Sequence, residues 1–243
     1  MGNIWTIAKR EYRRFFISPV AYVIAFIILI ILGIIFYANV LAAVSQQFAP
    51  DITIVIGPLV TLLLFTTPAV TMGTIAEEQR SGTLELLLTA PVKDWELIVG
   101  KWLGAFLFYL SLILVTWIFP LILNRLISPG IDQGLMMSGY LGILLMVAAM
   151  LAIGVAVSTL FQNQIAAFFA SIGVLLVLWM VSYPIQQATG TGADIVHYID
   201  LSNHFYNTFE LGIIELKDVV YFLSITALGL FLGTMSLEVR RWR

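Results

Sequence analysis

The sequence predicts an all-α integral membrane protein with six transmembrane helices. Three observations lead there. Of the 243 residues, 60% are hydrophobic and 11% charged, where soluble domains carry about 25% charged residues. The apolar residues gather into six runs long enough to cross a bilayer, which takes about 20 residues. Ten of the twelve lysines and arginines fall in segments that six crossings place on one side, the asymmetry that orients membrane proteins.

The expected spans are residues 20–44, 52–76, 97–123, 136–160, 165–183 and 219–237. The first holds no charge. The second contains Pro58 and Pro68, the third has Lys101 near its start, and Pro184 closes the fifth. Each must be helical, because an open strand in lipid leaves its amides unpaired. Lys9, Arg10, Arg13 and Arg14 precede the first span. Arg80, Lys93 and Lys101 lie between the second and third, and Arg240, Arg241 and Arg243 end the chain. Positive charge marks the cytoplasmic side, so both termini are expected inside, with Arg125 and Lys217 outside. An odd number of spans would split the basic clusters. No cleavable leader is read at the N-terminus, since a polar, basic dozen residues precedes an apolar run too long for a signal segment.

Three pieces do not span. Residues 4–18 mix Trp5, Ile7, Tyr12, Phe15 and Phe16 with Arg10, Arg13 and Arg14. This pattern predicts an interfacial amphipathic helix anchored by Trp5, Phe15 and the three arginines, the basic stems snorkelling to water. The segment 186–218 opens on a loose Gly/Thr run and continues with Leu201, Phe205, Phe209 and Leu211 among polar residues; short helices in the outer interface are expected there. The third piece is the cytoplasmic segment that starts at Glu77.

Much chemistry is excluded. The net charge of −2 argues against a nucleic-acid partner. Without cysteine there is no disulfide framework, thiolate metal site or thiol nucleophile. No G-x-x-x-x-G-K-[ST] loop occurs. His197 and His204 are read as surface or interfacial residues, because a metal site wants more ligands at tighter spacing. No serine at membrane depth has an activating base, so no catalytic residue is assigned. The middle of every span is uncharged, where ion-coupled carriers keep acids or bases. Gly100 and Gly104 form a G-x-x-x-G read as a packing contact.

The segment Glu77-Glu78-Gln79-Arg80-Ser81-Gly82-Thr83-Leu84-Glu85-Leu86-Leu87-Leu88-Thr89-Ala90-Pro91-Val92 is the most informative. Gly82 permits a tight reversal as the chain leaves the membrane. Ser81 or Thr83 can cap a new helix over residues 81–90, with Leu84, Leu87 and Leu88 on one face and Pro91 ending it. So short a helix cannot bury that face alone. It needs either the chain's own interfacial core or another protein.

This run, E-E-Q-R-S-G-T-L-E-L-L-L-T-A-P-V, closely resembles the signature of the ABC-2 type permease family, the membrane subunits of ABC exporters. Glu11 with Phe16-Ile17-Ser18-Pro19-Val20-Ala21-Tyr22 resembles the family's entry into its first span. Asn203-His204-Phe205, Gly212-Ile213-Ile214, Lys217-Asp218-Val219-Val220-Tyr221 and Arg240-Arg241-Trp242 resemble the C-terminal part of small permeases of the gliding-motility and nitrous-oxide-reductase-maturation type. The resemblance covers the whole chain, 1–243, as a single permease domain. It implies that 4–18 is the elbow helix and 81–90 the coupling helix, docked on a separate ATP-binding subunit. Glu77, Glu78, Arg80, Gly82, Thr83, Leu84, Glu85, Leu87, Leu88 and Pro91 would make that coupling. It further implies two permease copies, identical or paralogous, with two ATP-binding subunits in the inner membrane. ATP and magnesium would be held by the partner, and this chain would bind no cofactor or metal itself. Membrane lipid is the surrounding partner, and a periplasmic or envelope accessory protein is a further candidate. The uncharged, aromatic-rich spans suggest an amphiphilic or lipid-like cargo.

Two rivals remain at this stage. One is an ABC-like assembly that does mechanical work on an envelope partner without passing a substrate; a sealed dimer interface would favour it. The other is a passive channel or ion-coupled carrier, which buried charges would have supported.

Overall fold

Pro19 has no amide hydrogen to continue a helix but suits a first turn, and it divides the N-terminal region into two helices in the computed structural model. These are α1 (Gly2–Ile17) and α2 (Pro19–Gln46). The structure describes residues 2–46, 49–83, 92–185 and 190–241, and no strand occurs among the described residues. Next come α3 (Thr53–Thr71), α4 (Ala76–Arg80), α5 (Asp94–Thr116), α6 (Ile118–Leu126), α7 (Gln133–Ser158) and α8 (Gln164–Met180). The last are α9 (Thr191–Ile199), α10 (Asn203–Tyr206) and α11 (Leu216–Arg241).

Among the described residues, five helical stretches are long and apolar enough to cross a membrane: Pro19–Gln46, Thr53–Arg80, Asp94–Leu126, Gln133–Ser158 and Leu216–Val239. The chain is a multi-pass membrane protein. The expected fifth span is the shorter apolar helix α8, of 17 residues, about 26 Å at 1.5 Å per residue. It stops at Met180 because the turn Tyr183–Ile185, which carries Pro184, takes over.

Helix α7 is the hub. Ala148, Ala149 and Ala152 are buried on it, and such small side chains let neighbouring backbones come close. Residues of α3, α5, α8 and α11 pack around it in a core that includes Ile56, Leu59, Phe108, Met146, Met150, Leu175 and Phe222. By contrast α2 shows Tyr22, Phe26, Ile34 and Tyr37 outward, the pattern of a peripheral helix whose outer face lipid covers.

Helix α1 is held at one end of this bundle, and the short helices α9 and α10 at the other. Tyr140 on α7 lies against Thr116 on α5, and Trp102 Nε1 donates to the Ala148 carbonyl at 2.9 Å. The numbers run in opposite senses, so α5 and α7 are antiparallel. Most of the expected 81–90 helix falls on 84–91, outside the described residues.

Candidate functional site

The inward face of α1 is set by the helical repeat. Ile4, Ile7, Ala8, Glu11 and Phe15 fall on one stripe, and it lies along α5. Gly100 and Gly104 make the close approach. A Cβ at Gly100 would stand 2.7 Å from Ile7 Cγ2, and one at Gly104 2.6 Å from Glu11 Cβ and 3.0 Å from the Ala8 carbonyl oxygen. The G-x-x-x-G is thus a packing contact, made with α1 rather than with another span. Phe15 stacks on Phe108 at 5.1 Å.

That approach carries Glu11 to a lysine. Lys101 is wholly enclosed. Its Nζ donates to Glu78 Oε1 at 2.7 Å and to Glu11 Oε1 at 3.3 Å. Arg10 Nη2 donates to Glu11 Oε1 at 3.0 Å and stands 4.0 Å from Glu78 Oε1. Arg14 lies 3.7 Å from Glu11 Oε2 and also pairs with Glu77. Three bases and three acids from α1, α4 and α5 therefore balance. A lone charge here would cost several kcal/mol; paired and hydrogen-bonded, it is tolerated. Burial pushes the Glu11 carboxyl up, but Lys101, Arg10 and Arg14 together outweigh it and hold the group below its ordinary range.

A second anchor holds the same helix. Glu96 Oε2 accepts from the Lys93 amide at 3.1 Å, closing the first turn of α5, and from Asn3 Nδ2 at 3.1 Å. On the other side, the Ser158 hydroxyl accepts from the amides of Ile75 and Ala76, at 3.2 and 3.1 Å, and donates to the Met72 carbonyl at 3.2 Å. Those amides open α4 and have no partner within their own helix. Gln79 Nε2 donates to the Thr159 carbonyl at 2.9 Å. So α4 is fixed to α1, α5 and the end of α7.

The geometric result concerns the segment between α4 and α5. One flank leaves through Gly82, whose φ of 71° is the left-handed region glycine tolerates. The other enters at Lys93. Both flanks are tied to α1, one by Glu77 to Arg14 and Glu78 to Arg10, the other by Glu96 through Asn3.

Of the residues read from sequence, Glu77, Glu78, Arg10 and Arg14 meet in this cluster. Arg80, Gly82 and Thr83 are exposed beside it, and Trp5 and Arg13 are exposed on α1. Leu84, Glu85, Leu87, Leu88 and Pro91 lie outside the described residues. Sequence reasoning counted Lys101 as an orienting charge and described the spans as free of buried ionisable groups; the middle of each is, but Lys101 is buried two turns into α5. It also passed over Ser158 and Asn3. Glu11 did leave a signal: it is an acid on the apolar stripe of an amphipathic helix.

At the opposite end the chain between α8 and α11 is pinned by two carboxylates. Asp200 accepts from the Ser202 amide at 2.8 Å, the Ser202 hydroxyl at 2.6 Å, the Asn203 amide at 3.3 Å and Ser182. His204, read from sequence as a surface or interfacial residue, is buried. It lies 3.8 Å from the Tyr221 ring, bonds Asp218 Oδ1 at 2.6 Å, and reaches the Tyr198 carbonyl at 2.8 Å.

Several apolar helices and an ion-paired cluster at one bundle end define a polytopic membrane protein with a built polar junction. The family model described as ABC-2 family transporter protein matches residues 46–235, well over half of the chain. The chain belongs to that family, and the family as a whole works with an ATP-binding partner. No curated protein matches the chain.

Proposed function

We propose that this chain is the permease subunit of an ABC-2 type exporter, carrying an amphiphilic or lipid-like substrate and driven by ATP hydrolysis in a separate subunit. The observation that carries the reading is the clamp around Lys101. It joins the α4 flank of segment 84–91 to α1 and α5 through Lys101, Glu78 and Glu11, and the Asn3–Glu96 hydrogen bond ties the other flank to α1. The absence of a nucleotide-binding loop in this sequence fits a motor supplied in trans.

In this reading the Lys101 end faces the cytoplasm in an inner membrane, an orientation that the distribution of basic residues supports. Residues 81–90 form the coupling helix in a groove of the ATP-binding subunit. Leu84, Leu87 and Leu88 face the groove, and Glu85 and Arg80 meet its charged rim. Two copies of the chain, or this chain and a paralogue, enclose the pathway, with two ATP-binding subunits below. Closure of those subunits on ATP displaces the coupling helix. The ion pairs pass the displacement to α1 and α5 as a rigid-body tilt.

The test is co-purification with the ATP-binding subunit, with Leu84→Asp and Leu87→Asp as variants. Both are expected to abolish association and the stimulation of ATPase activity. Association and stimulation that survive both changes would overturn the assignment.

A further inference from the structure

The clamp leaves two cations of α1 unused. Arg10 and Arg14 face the acids, whereas Lys9 and Arg13, one turn apart, are exposed and have no ion pair among the described residues. Both line a groove of about 460 Å³ between α1 and α5. Trp5 contributes to its α1 side. Its α5 wall includes Leu107, Leu110 and Leu114, which share one helix face. The leucines lead away from the cations into the part of α5 that crosses the membrane. An occupant must therefore combine an apolar chain at bilayer depth with an anion at the surface.

We infer that this groove binds an anionic phospholipid, its phosphate held by Lys9 and Arg13 and one acyl chain laid along Leu107, Leu110 and Leu114. Basic pockets beside spanning helices bind acidic headgroups in this way. A soluble acidic partner would satisfy the cations but not the leucines. The site is independent of the transport reading, because it uses neither segment 84–91 nor a nucleotide.

The experiment is native mass spectrometry of the full chain in detergent, titrated with phosphatidylglycerol, phosphatidylcholine or glycerol 3-phosphate. Phosphatidylglycerol is expected to bind about 30-fold more tightly than phosphatidylcholine, roughly fivefold for each cation. Glycerol 3-phosphate, which lacks chains, should bind far more weakly. The double variant Lys9→Gln/Arg13→Gln changes only exposed side chains and should bring the two lipids level. Arg125→Gln, a charge removed at the far end of the bundle, should leave the preference intact. Equal binding of the two lipids to the natural chain would overturn the proposal, as would an unchanged preference in the double variant. Glycerol 3-phosphate binding as tightly as the lipid would make this a phosphate site only.

Discussion

Lys101 Nζ and Glu78 Oε1 stand 2.7 Å apart, the lysine closed off from solvent, and join the first turns of α5 to the short helix α4. Glu11 completes the contact from α1 at 3.3 Å. Removing the lysine leaves two buried carboxylates facing each other, so the cost lies in what remains and not only in the lost bond. Lys101→Met is expected to destabilise the fold by about 3–5 kcal/mol, the usual cost of breaking a buried pair from one side. Glu78→Gln in the same background should recover part of that loss. Thermal unfolding of the purified single and double variants checks both; additive losses would show that the three groups do not act as a unit.

Gly104→Val tests the contact between α1 and α5 from the backbone side. The new side chain would begin 2.6 Å from Glu11 Cβ and 3.0 Å from the Ala8 carbonyl, where neither neighbour can yield without moving α1. A loss of about 1–3 kcal/mol is expected from overpacking alone, with earlier proteolysis at the N-terminus. Gly33→Val, whose Cβ would meet nothing within 4 Å, is the matched control and should be near neutral.

Ser158→Ala removes the hydroxyl shared by Ile75 and Ala76. Two buried donors lose their acceptor, which costs about 1–3 kcal/mol for each one left unpaired. Hydrogen exchange should rise at those two amides before it rises elsewhere in α4. Protection equal to that of the natural chain would mean that another acceptor takes over.

Glu210, in the turn Phe209–Leu211, gives a pH dependence at the other end of the molecule. Burial first, then the nearby Asp51 carboxylate, push its carboxyl up to about 6 from an ordinary 4.5. The folded chain holds this proton more tightly than the unfolded chain does. The stabilisation is therefore complete below about pH 4.5 and is lost as the pH rises through 6. Because the group is partly exposed, about 1 kcal/mol is the scale expected. Glu210→Gln should flatten the melting temperature across this window; an unchanged slope would place the titration elsewhere.

The spans were readable where apolar runs are uninterrupted. Residues 20–44 became α2 within two residues at each end, because nothing in that run competes with helix in lipid. The expected span 52–76 instead divides after Thr71 into α3, a turn and α4. The Ser158 hydroxyl supplies acceptors for that break, and it lies more than eighty positions away, beyond any local pattern. Lys101 was hidden for the same reason: its partner Glu11 is 90 positions distant. Family membership was legible in a run of which half now lies outside the described residues, since a signature of residue types survives without a known conformation. Burial of His204 was not legible, because the Tyr221 ring that covers it belongs to the next long helix.

The break at Ser18 and Pro19 has a mechanical corollary. Had α1 and α2 been one rod, rotation of the amphipathic segment would have dragged the first span with it. A proline at the joint, with the Ser18 amide still bonded to the Arg14 carbonyl at 3.0 Å, instead makes a pivot with a short tether. The N-terminal helix therefore takes its direction from α5, against which it packs, and not from α2.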